Sequence, residues 1–232
     1  MTEFDSNNIN ICVINLKKRV DRWEKISKHL DDLKKSGNLK FNNHIYRIEG
    51  IDDKFFQRKG CMRSHLLAIL MAREQKWPCV MVLEDDAILS DNIDELWSNV
   101  MIELKNEKWD VIFGATCRLR DSDCSYFSPH LLRKKNNGIF TGTHCVIYNQ
   151  TGYESIIKCI EEELQFQLPY HIDMMISLKH NKNVFLAVPF LGLFNENDRS
   201  DVRVGKNISM DIVQIKEAQR FALDIIDQNS SS

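Results

Sequence analysis

The run Cys79-Val80-Met81-Val82-Leu83 is apolar at every position and ends abruptly in Glu84-Asp85-Asp86. A short apolar run of this kind reads as a buried central strand, and such strands belong to sheets covered by helices on both faces. Extended backbone alternates its side chains, so Glu84 and Asp86 point to one side and Asp85 to the other. Adjacent carboxylates repel one another and raise at least one pKa unless a cation or a basic partner compensates. In open α/β sheets, ligands collect at the carboxyl ends of the strands, where these three residues fall. A few hard oxygen ligands that share an ion with substrate phosphates suit Mg²⁺ or Mn²⁺. The competing reading of the same residues is a solvated acidic turn.

The flanking pattern alternates strand and helix. Ile9 to Leu16 reads as a buried strand, and Val20, Trp23, Ile26, Leu30 and Leu33 then recur at helical spacing. His44 to Ile48 reads as a strand, Cys61 to Gln75 as a helix, Ser90 to Glu107 as a helix and Asp110 to Gly114 as a strand. The alternation predicts an α/β fold with a mostly parallel, Rossmann-like sheet flanked by helices. Arg118 to Asn137 is polar and irregular, and is expected to form a flexible rim beside the site. Ile139 to Tyr148 is strand-like with an interruption at Gly142, Gly152 to Leu164 is helical, and Val184 to Val188 is expected to be the final strand. Met210 to Ile226 closes a single domain spanning 1–227, and residues 228–232 read as a disordered tail.

Composition removes several function classes. With 31 basic against 33 acidic residues and a net charge of −2, the chain carries no polybasic field, which argues against a nucleic-acid partner. No run approaches the roughly 18 apolar residues needed to cross a bilayer, so no integral membrane segment is expected. The 7 cysteines form no C-x-x-C pair and sit mostly among apolar neighbours. They read as reduced thiols of a cytoplasmic protein.

Three segments, in order, carry a resemblance: Ile14-Asn15-Leu16-Lys17-Lys18-Arg19-Val20-Asp21-Arg22-Trp23, Gly60-Cys61-Met62-Arg63-Ser64-His65 and Val82-Leu83-Glu84-Asp85-Asp86-Ala87. Together they resemble glycosyltransferase family 25, which contains lipooligosaccharide and procollagen galactosyltransferases. Gly142-Thr143-His144 and Pro169-Tyr170-His171-Ile172-Asp173 add weaker support. The resemblance implies a fold of the GT-A type, a UDP-sugar donor, Mn²⁺ or Mg²⁺, and inverting transfer of galactose or glucose to a hydroxyl on a glycan or a hydroxylated protein. The chain departs from the pattern at Lys17-Lys18, where relatives carry Asp-Arg. It departs again near Ser200-Asp201, where a preceding Gln is missing.

On this reading each residue takes a role. A metal held by carboxylates neutralises charge growing on a leaving diphosphate. Asp86 is the first candidate ligand, and Glu84 ligates the ion or binds the donor. Asp85 is assigned to the donor site and is the most structural of the three. Arg19 and Arg22 open a helix where an anion can sit, as donor diphosphate ligands or in intrahelical pairs with Asp21 or Glu24. Asn15, at the strand end, is a candidate for the base or ribose. By resemblance, Ser64 and His65 shape the donor site from the start of the second helix. The family implies a third, late metal ligand, often His: His144 first, with His171 and His180 as alternatives. Inverting transfer needs a general base, for which Asp173 is the candidate and Glu196 the alternative. Two other functions compete: a metal-dependent phosphoester hydrolase, and a non-catalytic binding protein on the same fold.

Overall fold

The computed structural model describes residues 9–40, 42–180, 183–194 and 208–230, with only the backbone of 42, 43 and 208–212. The chain begins with β1 (Ile9–Leu16), α1 (Val20–Lys35), β2 (Asn42–Gly50), α2 (Gln57–Glu74) and β3 (Cys79–Glu84). It continues through β4 (Ala87–Leu89), α3 (Ile93–Glu103), β5 (Val111–Phe113), β6 (Cys124–Ser128), β7 (Leu131–Lys134) and β8 (Cys145–Asn149). The remaining elements are α4 (Tyr153–Leu164), α5 (Ile172–Lys179), β9 (Val184–Ala187), β10 (Gly192–Phe194) and α6 (Ile208–Ser230).

An 8-stranded sheet has the order β2-β1-β3-β8-β5-β9-β7-β6. Strands β2, β1, β3, β5, β9 and β6 run one way, while β8 and β7 run against them. The expected mostly parallel α/β sheet is therefore present, with β8 inserted in reverse between β3 and β5. Alternation along each strand sorts the core into two layers. Cys12, Val80, Val82, Val146 and Tyr148 pack with buried residues of α2, α4, α5 and α6. Ile11, Val13, Met81, Leu83 and Ile147 face the other way, against Ile26 and Leu30 of α1 and Trp97 of α3. Burial on both faces is why β3 is apolar throughout.

Four expectations are corrected. First, α2 starts at Gln57, four residues ahead of Cys61, so Ser64 and His65 lie inside the helix. Its first turn is polar and hides from a search for apolar periodicity. Second, the 118–137 stretch is no flexible rim: it holds the β6–β7 hairpin, two strands away from β5 at the edge of the sheet. The buried Lys134 ammonium ties the turn after the hairpin by donating to the Lys135 and Gly138 carbonyls, at 2.9 and 3.1 Å. Third, β9 is followed by β10, which pairs with β4 in a 2-stranded antiparallel ribbon. The strands of this ribbon are too short to show periodicity. Fourth, α6 continues to Ser230, so residues 228–230 are helical where a tail was expected.

Candidate active site

Glu84 ends β3, and Asp85 and Asp86 form the turn that follows it. Glu84 follows Val80 and Val82 onto the α2 face, and Asp85 follows Met81 and Leu83 onto the α1 face. Asp85 there meets Arg22 of α1, with Nη1 to Oδ1 at 2.8 Å. Arg22 is 4 % exposed, and its guanidinium also stands 3.9 Å from Asp86. Asn15 completes this buried group, donating from Nδ2 to Asp85 (2.6 Å) and to the Arg19 carbonyl (2.9 Å), while its Oδ1 accepts from Arg47. Burial pushes the Asp85 carboxyl upward, and its bonds to Arg22 and Asn15 offset part of that rise.

On the other face, β8 brings a histidine to the same edge. Leu83 pairs with Cys145, and the Glu84 N–H donates to the His144 carbonyl (3.1 Å), so Glu84 and His144 stand opposite each other across an antiparallel step. His144 Nδ1 lies 3.1 Å from Asp86 Oδ1 and 3.9 Å from Glu84 Oε2. The ring of Phe194 in β10 packs on the imidazole with centroids 4.8 Å apart. One ligand atom each from Glu84, Asp86 and His144 can be chosen so that all lie within 4.8 Å of one another. Burial would lower the His144 pKa, but the Asp86 and Glu84 carboxylates raise it well above the usual imidazole range. Burial would likewise raise Glu84, yet His65, His144 and the Thr143 hydroxyl hold it well below the carboxylate range. Two carboxylates and one imidazole are a donor set that a divalent cation fits.

The loop before β8 is fixed at each step. Asp173, in the first turn of α5, accepts the Gly142 N–H at Oδ2 (2.7 Å) and the Met174 N–H at Oδ1 (2.8 Å). Gly142 has φ +95°, which a side chain would resist. The Thr143 hydroxyl then donates to Glu84 Oε1.

Beside this cluster a cavity of about 150 Å³ opens between the ends of β1, β2 and β3 and the α2 helix. Lys18, Arg22, Ile51, Asp52, Cys61, Ser64, His65 and the three carboxylates contribute to its wall. An adjoining groove of about 430 Å³ runs over Leu16, Lys17, Lys18 and Glu49 to Asp52. Ser64 shapes the wall by accepting the Ile51 N–H (2.9 Å) and donating to the Gly60 carbonyl (2.8 Å). Gly60 allows that approach, since a Cβ there would sit 2.4 Å from the Ile51 carbonyl oxygen. Asp53 closes the entry to α2 by accepting the Phe56 N–H at 2.8 Å.

The structure thus brings Glu84, Asp86, His144, Ser64 and His65 to one place, with Asp85 and Arg22 as a buried pair behind them. Arg19 lies outside the cavity wall and bonds Asp21 at 3.0 Å, and Asn15 also lies outside it. Glu196 falls outside the described residues. His180 packs against Asp110 (3.5 Å) under α4, away from the carboxylate cluster. Sequence reasoning missed Cys61 and Lys18 in the wall. The i, i+4 spacing of Cys61 and His65 was the available signal for the first.

The sequence matches no protein-family model and no curated protein. Among solved structures, a glycosyltransferase involved in the glycosylation of the major capsid of PBCV-1 superposes with TM-score 0.50 at 9% identity, covering 89% of this chain and 98% of that one. A mannose-1-phosphate geranyltransferase from Thermus thermophilus gives 0.46 at 10% identity, over 82% and 76% of the two chains. A Drosophila β1,4-galactosyltransferase 7 mutant in complex with manganese, UDP-Gal and xylobiose gives 0.40 at 10% identity, over 88% and 79%. The first of these likenesses establishes that this chain shares its α/β fold with a glycosyltransferase.

Proposed function

We propose that the protein is a metal-assisted glycosyltransferase that moves a hexose, galactose or glucose, from a UDP-sugar to an acceptor hydroxyl with inversion. One observation carries the reading: Glu84, Asp86 and His144 converge within 4.8 Å, beside a cavity that Glu84 and Asp86 also line at the carboxyl ends of parallel strands. In this reading the nucleotide enters the cavity and groove, where Ser64 holds the Ile51 backbone in place and Lys18 lies at the rim. Lys18 is paired with Asp52 at 2.6 Å, and both side chains are exposed, so the ammonium can exchange that partner for a phosphate. A divalent cation held by Glu84, Asp86 and His144 would neutralise charge growing on the departing diphosphate.

Arg22 fixes Asp85 and lies near Asp86, which holds the turn that carries the ligands. Asp173 is the candidate base, one residue along from the Thr143–His144 pair through its bond to Gly142. Acceptors of this class are glycan hydroxyls or hydroxylated protein side chains. Among the described residues no helix is long and apolar enough to cross a membrane.

The test is a thermal-shift screen of nucleotide sugars with and without Mn²⁺, followed by product analysis with the donor that binds. A binding donor must raise the melting temperature of the native protein. Asp86→Asn is expected to abolish Mn²⁺-dependent donor binding and turnover while keeping the circular dichroism spectrum. Wild-type turnover by that variant removes the mechanism. Phosphodiester cleavage without donor binding would instead select the hydrolase reading.

A further inference from the structure

Glu84 faces three groups with its two oxygens, Oε1 also accepting the Thr143 hydroxyl. Oε2 looks toward His144, and Oε1 stands 3.8 Å from His65 Nε2. His65 is fully buried, and its Nε2 has no hydrogen-bond partner, an arrangement that costs free energy unless something is meant to fill it. The other ring nitrogen, Nδ1, is occupied by the Tyr148 hydroxyl at 3.1 Å. Such a second-atom contact orients a ligating imidazole and leaves the free nitrogen aimed at the ion. Cys61 lies one helical turn before His65 on the same face of α2, and one ligand atom each from Cys61, His65 and Glu84 falls within 4.8 Å of the others. Cys61 and His65 both contribute to the cavity wall.

We propose that Cys61, His65 and Glu84 form a second cation site, selective for a soft ion such as Zn²⁺, inside the donor cavity and sharing Glu84 with the Glu84–Asp86–His144 set. Thiolate, imidazole and carboxylate together suit zinc, and three protein ligands leave a fourth position open toward the cavity. Binding displaces the Cys61 thiol proton to solvent and forms the sulfur–metal bond, with no change of oxidation state. An ion there occupies the space in which a nucleotide would sit and draws Glu84 from His144. The site is therefore inhibitory. That consequence rests on the function proposed above; the cation site itself does not.

Cobalt(II) is the probe, because cobalt bound to a thiolate gives a charge-transfer absorption that carboxylate and imidazole sites lack. Titration of the wild-type protein is expected to give this band. Cys61→Ser and Cys61→Ala are expected to remove it, and Cys159→Ser to leave it unchanged. Tyr148→Phe, which touches no ion, should weaken cobalt affinity about tenfold or more by loosening His65. Asp86→Asn should keep the band, which separates this site from the first: loss of Mn²⁺ and donor binding in that variant tests the proposed function, while its cobalt spectrum tests only the second site. A folded wild type without the band overturns the proposal, as does a band that survives both Cys61 variants. With a donor in hand, micromolar-range Zn²⁺ inhibition relieved by Cys61→Ser supports the inhibitory role, and inhibition unchanged by that substitution overturns it.

Discussion

His144 Nδ1 lies 3.1 Å from Asp86 Oδ1, joining the residue that leads into β8 to a residue just past the end of β3. The contact makes the cluster respond to pH in a defined direction. The His144 pKa is raised in the fold, opposed by burial and driven by Asp86 and Glu84, so its stabilisation is complete below the unfolded value of about 6.5 and is lost as pH rises through the folded value. Glu84 is lowered, so its contribution is complete above about 4.3 and is lost as pH falls through its folded value. The metal-free protein is expected to lose melting temperature above about pH 6.5. His144→Gln should flatten that upper limb in a pH series of thermal melts. An identical slope in the variant would show that the imidazole is not the group responsible.

Because a cation and the His144 proton compete for the same carboxylates, Mn²⁺ affinity is expected to increase with pH. Calorimetry in buffers of different ionisation enthalpy should detect proton release on binding. His144→Ala should remove that release and weaken binding. Equal proton counts in the two proteins would contradict the assignment.

Removing Arg22 leaves Asp85 buried without its countercharge. Breaking one side of a buried ion pair typically costs about 3–5 kcal/mol, so Arg22→Ala should lower stability on that scale in urea unfolding. Arg22→Met combined with Asp85→Leu should recover much of the loss, since apolar replacement of the whole pair is often near neutral. A single variant as stable as wild type would mean that water reaches the pair.

Ser64→Ala removes the acceptor of the part-buried Ile51 N–H and is expected to cost about 1 kcal/mol. If the cavity holds the nucleotide, the same change should raise the donor KM more than it lowers kcat. Gly60→Ala tests the wall by a different route. Its Cβ would overlap the Ile51 carbonyl, and overpacking of this kind typically costs about 1–3 kcal/mol.

Asp173→Asn removes the candidate base and leaves one oxygen for the Gly142 and Met174 N–H groups. Loss of a general base is expected to lower kcat by about 10²- to 10⁴-fold with donor affinity retained. A variant with wild-type kcat would assign Asp173 to holding Gly142 alone.

The legible parts of the chain are those in which burial dictates the residue type. Ile9–Leu16 and Cys79–Glu84 are nearly continuous apolar runs, which mark them as buried strands with the carboxylates at the end of the second. The pairing of Arg22 with Asp85 is harder to see, because a basic residue on a helix does not announce whether it faces solvent or a carboxylate on a neighbouring strand. The β6–β7 hairpin is hidden because Arg118 to Asn137 is rich in charge; at the edge of a sheet, polar side chains are tolerated on one face. Cys61 and His65 carry separate signals in the sequence, a buried thiol and a donor-site residue, although their spacing already places them on one face of a helix.

The reversed insertion of β8 has a consequence for how the molecule is made. As the chain leaves the ribosome, Glu84, Asp85 and Asp86 are synthesised long before His144, and β3 and β5 have no direct partner in each other. Only when Cys145–Asn149 slots between them does the acidic edge acquire its imidazole. The same docking event that seals the centre of the sheet completes the ion-binding cluster, so a nascent or truncated chain lacking β8 would have neither.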